Sequence, residues 1–433
     1  MVQHKEISFQ KNEVKDLSNL IHLLKKEVNG ELLRWSINKV TSDSIVVEAT
    51  VIKDEMPVKK EDVDKHYFPG KQVLVNLIPT GIGCSIGGFA ADAAPAINLL
   101  ASQVDYMITN PNAVNASNFI NIRNNILYTE GYLIDRFMLG ETNLYPVTQN
   151  KVGVIIEHTT SDNLDVVFNI LNAVRSIYGV DIGAYYITKE KIGSICQKTN
   201  SGAYVGNIKN SRVLYEACEY LLSKGCNAIA VTTNVENLPT ADYASHFKGD
   251  HPNPVGGVEA IISHAIVRKY NVACAHAPMI NFKEMNLDTT IVDARGAGEM
   301  ASESGMASVL IGLSKAPSPV EIAGKMKDVV NIKNVIAIVS PASSLGSIPV
   351  LNSLKLGIPV IAVKNNSTIL NVTKQALDID NIIEVNNYFE ASGIVQALKE
   401  GISLEAVTRP LKTLRHDKYV LQSEHAQEMY SLH

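Results

Sequence analysis

Four clusters of polar residues carry the chemistry open to this sequence, and each stands just beyond a short apolar run of strand character. The first is Pro79-Thr80-Gly81-Ile82-Gly83-Cys84-Ser85-Ile86-Gly87-Gly88. Its glycines permit positive-φ turns and a close backbone approach to phosphate, carboxylate or sugar, or else a merely tight turn. Thr80, Gly81, Gly83, Ser85, Gly87 and Gly88 are the expected ligand contacts here. The second gathers side-chain amides at Asn110, Asn112 and Asn115, suited either to a polar ligand or to helix capping. In the third, His276 ends a strand and is followed by Asp293, Arg295, Glu299 and Glu303. His276 is the expected general base and Asp293 its orienting partner. Glu299 and Glu303, four apart, share a helix face; Arg295, a metal ion or a cationic ligand would relieve their repulsion, and a solvated acidic helix start gives the same pattern. The fourth, Ser340 with Ser343, Ser344 and Gly346, puts hydroxyls and a glycine at a helix start, an anion nest in the making. Thr232, Thr233, Asn234 and Asn365 complete the expected ligand contacts at other strand ends.

What these clusters lack is equally informative. The glycine spacing is G-x-G-x-x-x-G-G, not the dinucleotide fingerprint, and GK[ST] is absent, so there is no NAD or P-loop nucleotide signature and the cofactor is unassigned. HExxH, HxH and His/Cys/Cys spacings are missing, which leaves any metal unknown. Cys84 sits in the glycine loop without an identifiable base. The five cysteines, Cys84, Cys196, Cys218, Cys226 and Cys274, are scattered and never form a CxxC pair, as expected of a cytoplasmic, reducing location.

The 433 residues carry a formal charge of −5 without long single-sign runs, so neither nucleic acid nor an anionic membrane is expected as partner. No apolar stretch reaches the roughly 20 residues that span a bilayer, and the first 11 residues lack the apolar core of a secretory signal. A small anionic ligand and a homo-oligomer remain open.

These residues need elements to position them. Leu17, Leu20, Ile21, Leu24 and Val28 fall at helical spacing and 44–52 is rich in β-branched residues, which predicts a small α+β leader domain over 1–70. From Lys71, strands alternate with helices of 10–15 residues, including strands at 73–78, 104–109, 152–157, 184–188, 228–232, 272–275, 290–292, 335–339, 359–363 and 382–385. One helix is expected around 298–313. This alternation predicts an α/β protein of Rossmann-like three-layer units with mostly parallel sheets. The expected division is a first α/β domain over 71–255 with the glycine-rich loop, a second over 256–411, and a charged tail over 412–433.

Ile78 to Gly83 through Ala94-Pro95, Asn110-Pro111-Asn112, Asn115, His276-Ala277-Pro278, 293–302 and Gly357 to Val363 together resemble a family of bacterial, cyanobacterial and plant proteins catalogued as a domain of unknown function. The resemblance covers roughly Lys71 to Leu411 and implies no particular activity. The Gly81–Gly88 loop with 340–363 also looks like the two halves of sugar-nucleotide enzymes of the two-Rossmann-domain type, from which the 276–303 block departs. Val231 to Asn234 looks like a strand end of aspartate/glutamate racemases, but threonines stand where those enzymes have a cysteine.

The expectation is therefore an enzyme acting by acid/base chemistry on a small, polar, anionic metabolite in an interdomain cleft, its class (isomerase, lyase or transferase) open. A sugar-nucleotide transferase or epimerase, and a non-catalytic metabolite-binding protein, are the alternatives.

Overall fold

In the computed structural model, the described residues are all but 54–69, 112–114, 117–118, 280–290, 303, 322–327 and 415–433. Two parallel sheets and one largely antiparallel sheet form the frame, so the chain is of the mixed α/β class expected.

The first parallel sheet has six strands. In spatial order they are Ile383–Val385, Val360–Val363, Val335–Pro341, Val73–Asn76, Tyr106–Thr109 and Ile126–Tyr128. Runs such as VLVN and VIAV are buried on both faces, which is why they read as continuous apolar strands rather than alternating ones. Numbered along the chain, the order is 6-5-4-1-2-3, the doubly wound arrangement whose direction reverses between strands 1 and 4. That reversal lies between Val73–Asn76 and Val335–Pro341. The second parallel sheet orders Asp181–Ile187, Lys151–Ile156, Ala228–Thr233 and Ala273–Pro278. Its reversal lies between Lys151–Ile156 and Ala228–Thr233.

The expected boundary at 255/256 does not separate these sheets. Strands from 73–128 and from 335–385 hydrogen-bond into one sheet, and the chain between them builds the other. Nor does the segment 1–70 stand by itself. Val2–Gln10, Ser44–Ile52 and Glu31–Val40 are joined by Tyr204–Ile208, Ser194–Lys198 and Val235–Glu236 in one sheet. Helix Leu17–Glu27 forms where its spacing predicts it, capped by Asp16 accepting from the Asn19 N–H and burying Leu20 and Leu24.

The helix expected over 298–313 is two helices, Ala297–Met300 and Gly305–Leu313. The first ends at Met300 with Ala301 as its C-cap, and Ser304, extended, caps the second by accepting from the Met306 N–H. Ile291 and Val292 lie outside any strand, and Thr290 is outside the described residues.

One helix links the layers. Gly256–Tyr270 is buried nearly all round, so its sequence shows little amphipathic contrast. It enters between backbones: a Cβ at Gly257 would lie 2.1 Å from the Tyr204 carbonyl oxygen. A Cβ at Gly81, where φ is +74°, would lie 2.5 Å from that same oxygen. Glycines at these two positions let the switch-point loop, the Tyr204 strand and the helix start converge.

Candidate functional site

The convergence leaves a cavity of about 1150 Å³ at the carboxyl ends of both parallel sheets, roofed by residues of the antiparallel sheet. Such a crevice at a strand-order reversal is where open α/β sheets bind ligands. Of the expected residues, Thr80, Asn110, Asn115, Thr232, Asn234, His276, Glu299 and Ser344 line it.

His276 is buried at the end of Ala273–Pro278 and its partner is Thr233. Ser194 Oγ donates to Thr233 Oγ1 (3.1 Å), and Thr233 Oγ1 is hydrogen-bonded to His276 Nε2 at 2.9 Å. Burial lowers the imidazole pKa to about 3, so the ring is neutral. Nδ1 has no hydrogen-bond partner and faces Glu259 Oε1 at 4.0 Å. Glu259, in the first turn of Gly256–Tyr270, is held well above the usual carboxylate range by burial, with the charge of Glu299 adding to it. Glu299 Oε2 accepts from the Ala90 N–H (3.0 Å), and Oε1 accepts from Tyr243 Oη at 3.4 Å. A neutral imidazole and two carboxyls thus line one cavity, an arrangement chemically capable of proton transfer.

Asp293 does not orient His276. Its carboxylate accepts from Arg295 Nε (2.8 Å) and Nη2 (3.2 Å), and Arg295 also donates to the Gly249 carbonyl while its guanidinium lies over the Phe89 ring. This ion pair holds Asp293 below its ordinary pKa, and neither residue lines the cavity. Glu303 and Asn112 lie outside the described residues.

The amides of the glycine loop are largely engaged. The Gly87 and Phe89 N–H groups lie near the Asp92 carboxylate, whose Oδ1 is buried without a hydrogen-bond partner, the Ile86 N–H donates to Asn366 Oδ1, and the Ser85 N–H donates to the Ser367 carbonyl. Ser85 Oγ reaches the Asn365 and Ser367 carbonyls. Gly83 packs on Pro252, and a Cβ on Gly88 would meet the Cys84 carbonyl. Cys84 is buried, donates to the Pro79 carbonyl, and desolvation pushes its thiol up, away from the thiolate form. Ser343 pairs with Thr368, Gly346 packs on the Ile37 backbone, and Ser340 Oγ is buried without a partner. Asn110 ties down the loop by exchanging two hydrogen bonds with Ile78. Asn115 Nδ2 donates to the Ser308 carbonyl, and Asn234 donates from N and Nδ2 to Glu157 Oε2.

Two charged lining residues that bear on the chemistry were not foreseen, whereas Glu130 and His264 were lesser candidates from the sequence. Glu259 is one, although a lone carboxyl in an otherwise buried helix is a readable signal. Arg34, on Glu31–Val40, is another, since nothing in the sequence places that strand over the sheets' carboxyl ends. Glu130 caps helix Gly131–Met138 by accepting from the Tyr132 and Leu133 N–H groups, and it faces His264 Nδ1. Among the described residues, no group of three or more His, Cys, Asp or Glu side chains is placed to hold a metal ion, and no helix is long and apolar enough to cross a membrane.

The chain is 32% identical over 347 residues to an uncharacterised lipoprotein of Synechococcus sp. (strain ATCC 27144 / PCC 6301 / SAUG 1402/1), covering 79% of this chain and 96% of that protein. No solved structure matches. The family model described as protein of unknown function (DUF3326) matches residues 72–408, close to the extent of the resemblance read from the motifs, and the chain belongs to that family.

Proposed function

We propose that this protein is an enzyme that converts a small polar metabolite carrying an anionic group, by acid/base chemistry in the switch-point cavity. The observation that carries the reading is His276 Nδ1, buried, without a partner, and 4.0 Å from a Glu259 carboxyl whose pKa is raised by desolvation. A gap of that length is too long for a direct hydrogen bond and admits a substrate oxygen beside both groups. In this reading Nδ1–H donates to that oxygen, Glu259 delivers a proton and later regains it, and Glu299 is the second carboxyl of the pair.

The test is native mass spectrometry of gently purified protein, to identify a bound metabolite, followed by its incubation with wild type, His276→Ala and Glu259→Gln. Conversion by wild type and its loss in both variants supports the reading. A metabolite that stays bound and unchanged in all three supports a binding protein instead, and a bound sugar nucleotide supports the transferase or epimerase alternative.

A further inference from the structure

Arg34 is the one lysine or arginine among the described residues lining the cavity, which also carries Glu48, Glu130, Glu259 and Glu299. Its guanidinium is held from one side. Nε and Nη2 donate to Asp135 at 2.7 and 3.3 Å, and Nη1 lies 3.3 Å from His264 Nε2. Since Nε2 accepts there, the His264 ring proton is on Nδ1, against Glu130. Three of the five guanidinium N–H groups are thereby used. Two remain, one on each terminal nitrogen, to serve as a fork, and the side chain is 31% exposed. Gly131 makes room for this placement: a Cβ there would lie 3.0 Å from Arg34 Nη1 and 3.2 Å from His264 Cε1.

The geometry points to Arg34 as the anchor for a carboxylate at one end of the substrate, and so to a small monocarboxylic acid as the substrate class. This rests on the cavity reading above and deepens it. An end-on guanidinium fork matches the two oxygens of a carboxylate. With Arg34 the one lysine or arginine among the described lining residues, and already paired with Asp135, a monoanion is favoured over a phosphate dianion. Glu259 and His264 are five residues apart on Gly256–Tyr270, about 7.5 Å along its axis at 1.5 Å per residue, which gives the scale of the separation between the two ends. A chain of four to six carbons is on the order of that length.

The test is calorimetric titration of the full chain with butyrate and hexanoate, with their neutral amides, and with inorganic phosphate. One carboxylate is expected to bind, with its amide at least about tenfold weaker and Arg34→Lys, folded as judged by circular dichroism, weakened by a similar factor. Gly131→Ala, which keeps every charge but displaces the fork, is expected to weaken carboxylate binding as well and serves if Arg34→Lys does not fold. Carboxylate affinity unchanged in the folded variant, no carboxylate binding by wild type, or preference for phosphate or amide overturns the assignment. Because His276→Ala leaves the fork intact, carboxylate binding that persists in it while conversion survives refutes the acid/base reading alone. Binding lost in His276→Ala but kept in Arg34→Lys refutes the anchor alone.

Discussion

His276 Nδ1 and Glu259 Oε1 face each other across 4.0 Å inside the cavity, where desolvation lowers the pKa of the imidazole and raises that of the carboxyl. The pair owes its state to burial, the largest cause of the shift in each group, and burial is in turn imposed by the helix Gly256–Tyr270 wedged between sheets. Replacing Glu259 by Gln keeps the shape and removes the transferable proton. Conversion of the bound metabolite is expected to fall by about 10²–10⁴-fold, the usual contribution of one positioned acid or base, with the melting temperature unchanged or raised.

His276 also sets a pH dependence of stability. Its folded pKa of about 3 lies below the unfolded value of 6.5, so the unfolded chain binds more protons between them. Its contribution is full above pH 6.5 and is lost as pH falls toward 3, by at most about 1.4 kcal/mol per unit. Urea titrations of His276→Gln from pH 7 to 4.5 are expected to show a smaller loss on acidification than wild type.

Asp92 acts with the opposite sign. Burial raises its carboxyl to about 7, against the lowering effect of the nearby Gly87 and Phe89 N–H groups. Its contribution is full below the unfolded value near 3.8 and is lost as pH rises through 7. Asp92→Asn, measured the same way, is expected to be more stable relative to wild type at pH 8 than at pH 5.

The glycines separate packing from backbone strain. At Gly257 a methyl group would meet the Tyr204 oxygen at 2.1 Å and the Val205 Cα at 2.4 Å, so Gly257→Ala is expected to cost roughly 3 kcal/mol or more, or to prevent folding. At Gly357, φ is +70° but nothing lies within 4 Å, so Ala should cost only about 1–2 kcal/mol. Chemical denaturation of the two variants checks the contrast.

Much of the frame is legible from local pattern, because a run such as 360–363 or 335–341 is apolar enough to need burial on both faces. The polar ends of those strands likewise announce a site: Thr80, Asn234, His276 and Ser344 do meet around one cavity. The division into domains is not legible, because residue 76 pairs with residue 339 and residue 2 with residue 208, contacts that no local window contains. The same non-locality hides Arg34 from Asp135 and His264. Asp293 illustrates the converse. Its proximity in sequence to Arg295 decides its partner, and Thr233, from a neighbouring strand, orients His276 instead.

The most direct measurement is the rate at which wild type, His276→Ala and Glu259→Gln convert the metabolite that copurifies with the protein, followed by mass spectrometry at pH 7. Conversion by wild type, with both variants slowed by about 10²-fold or more while remaining folded, is the predicted result. Conversion at the wild-type rate by either folded variant would contradict the acid/base role of the His276–Glu259 pair.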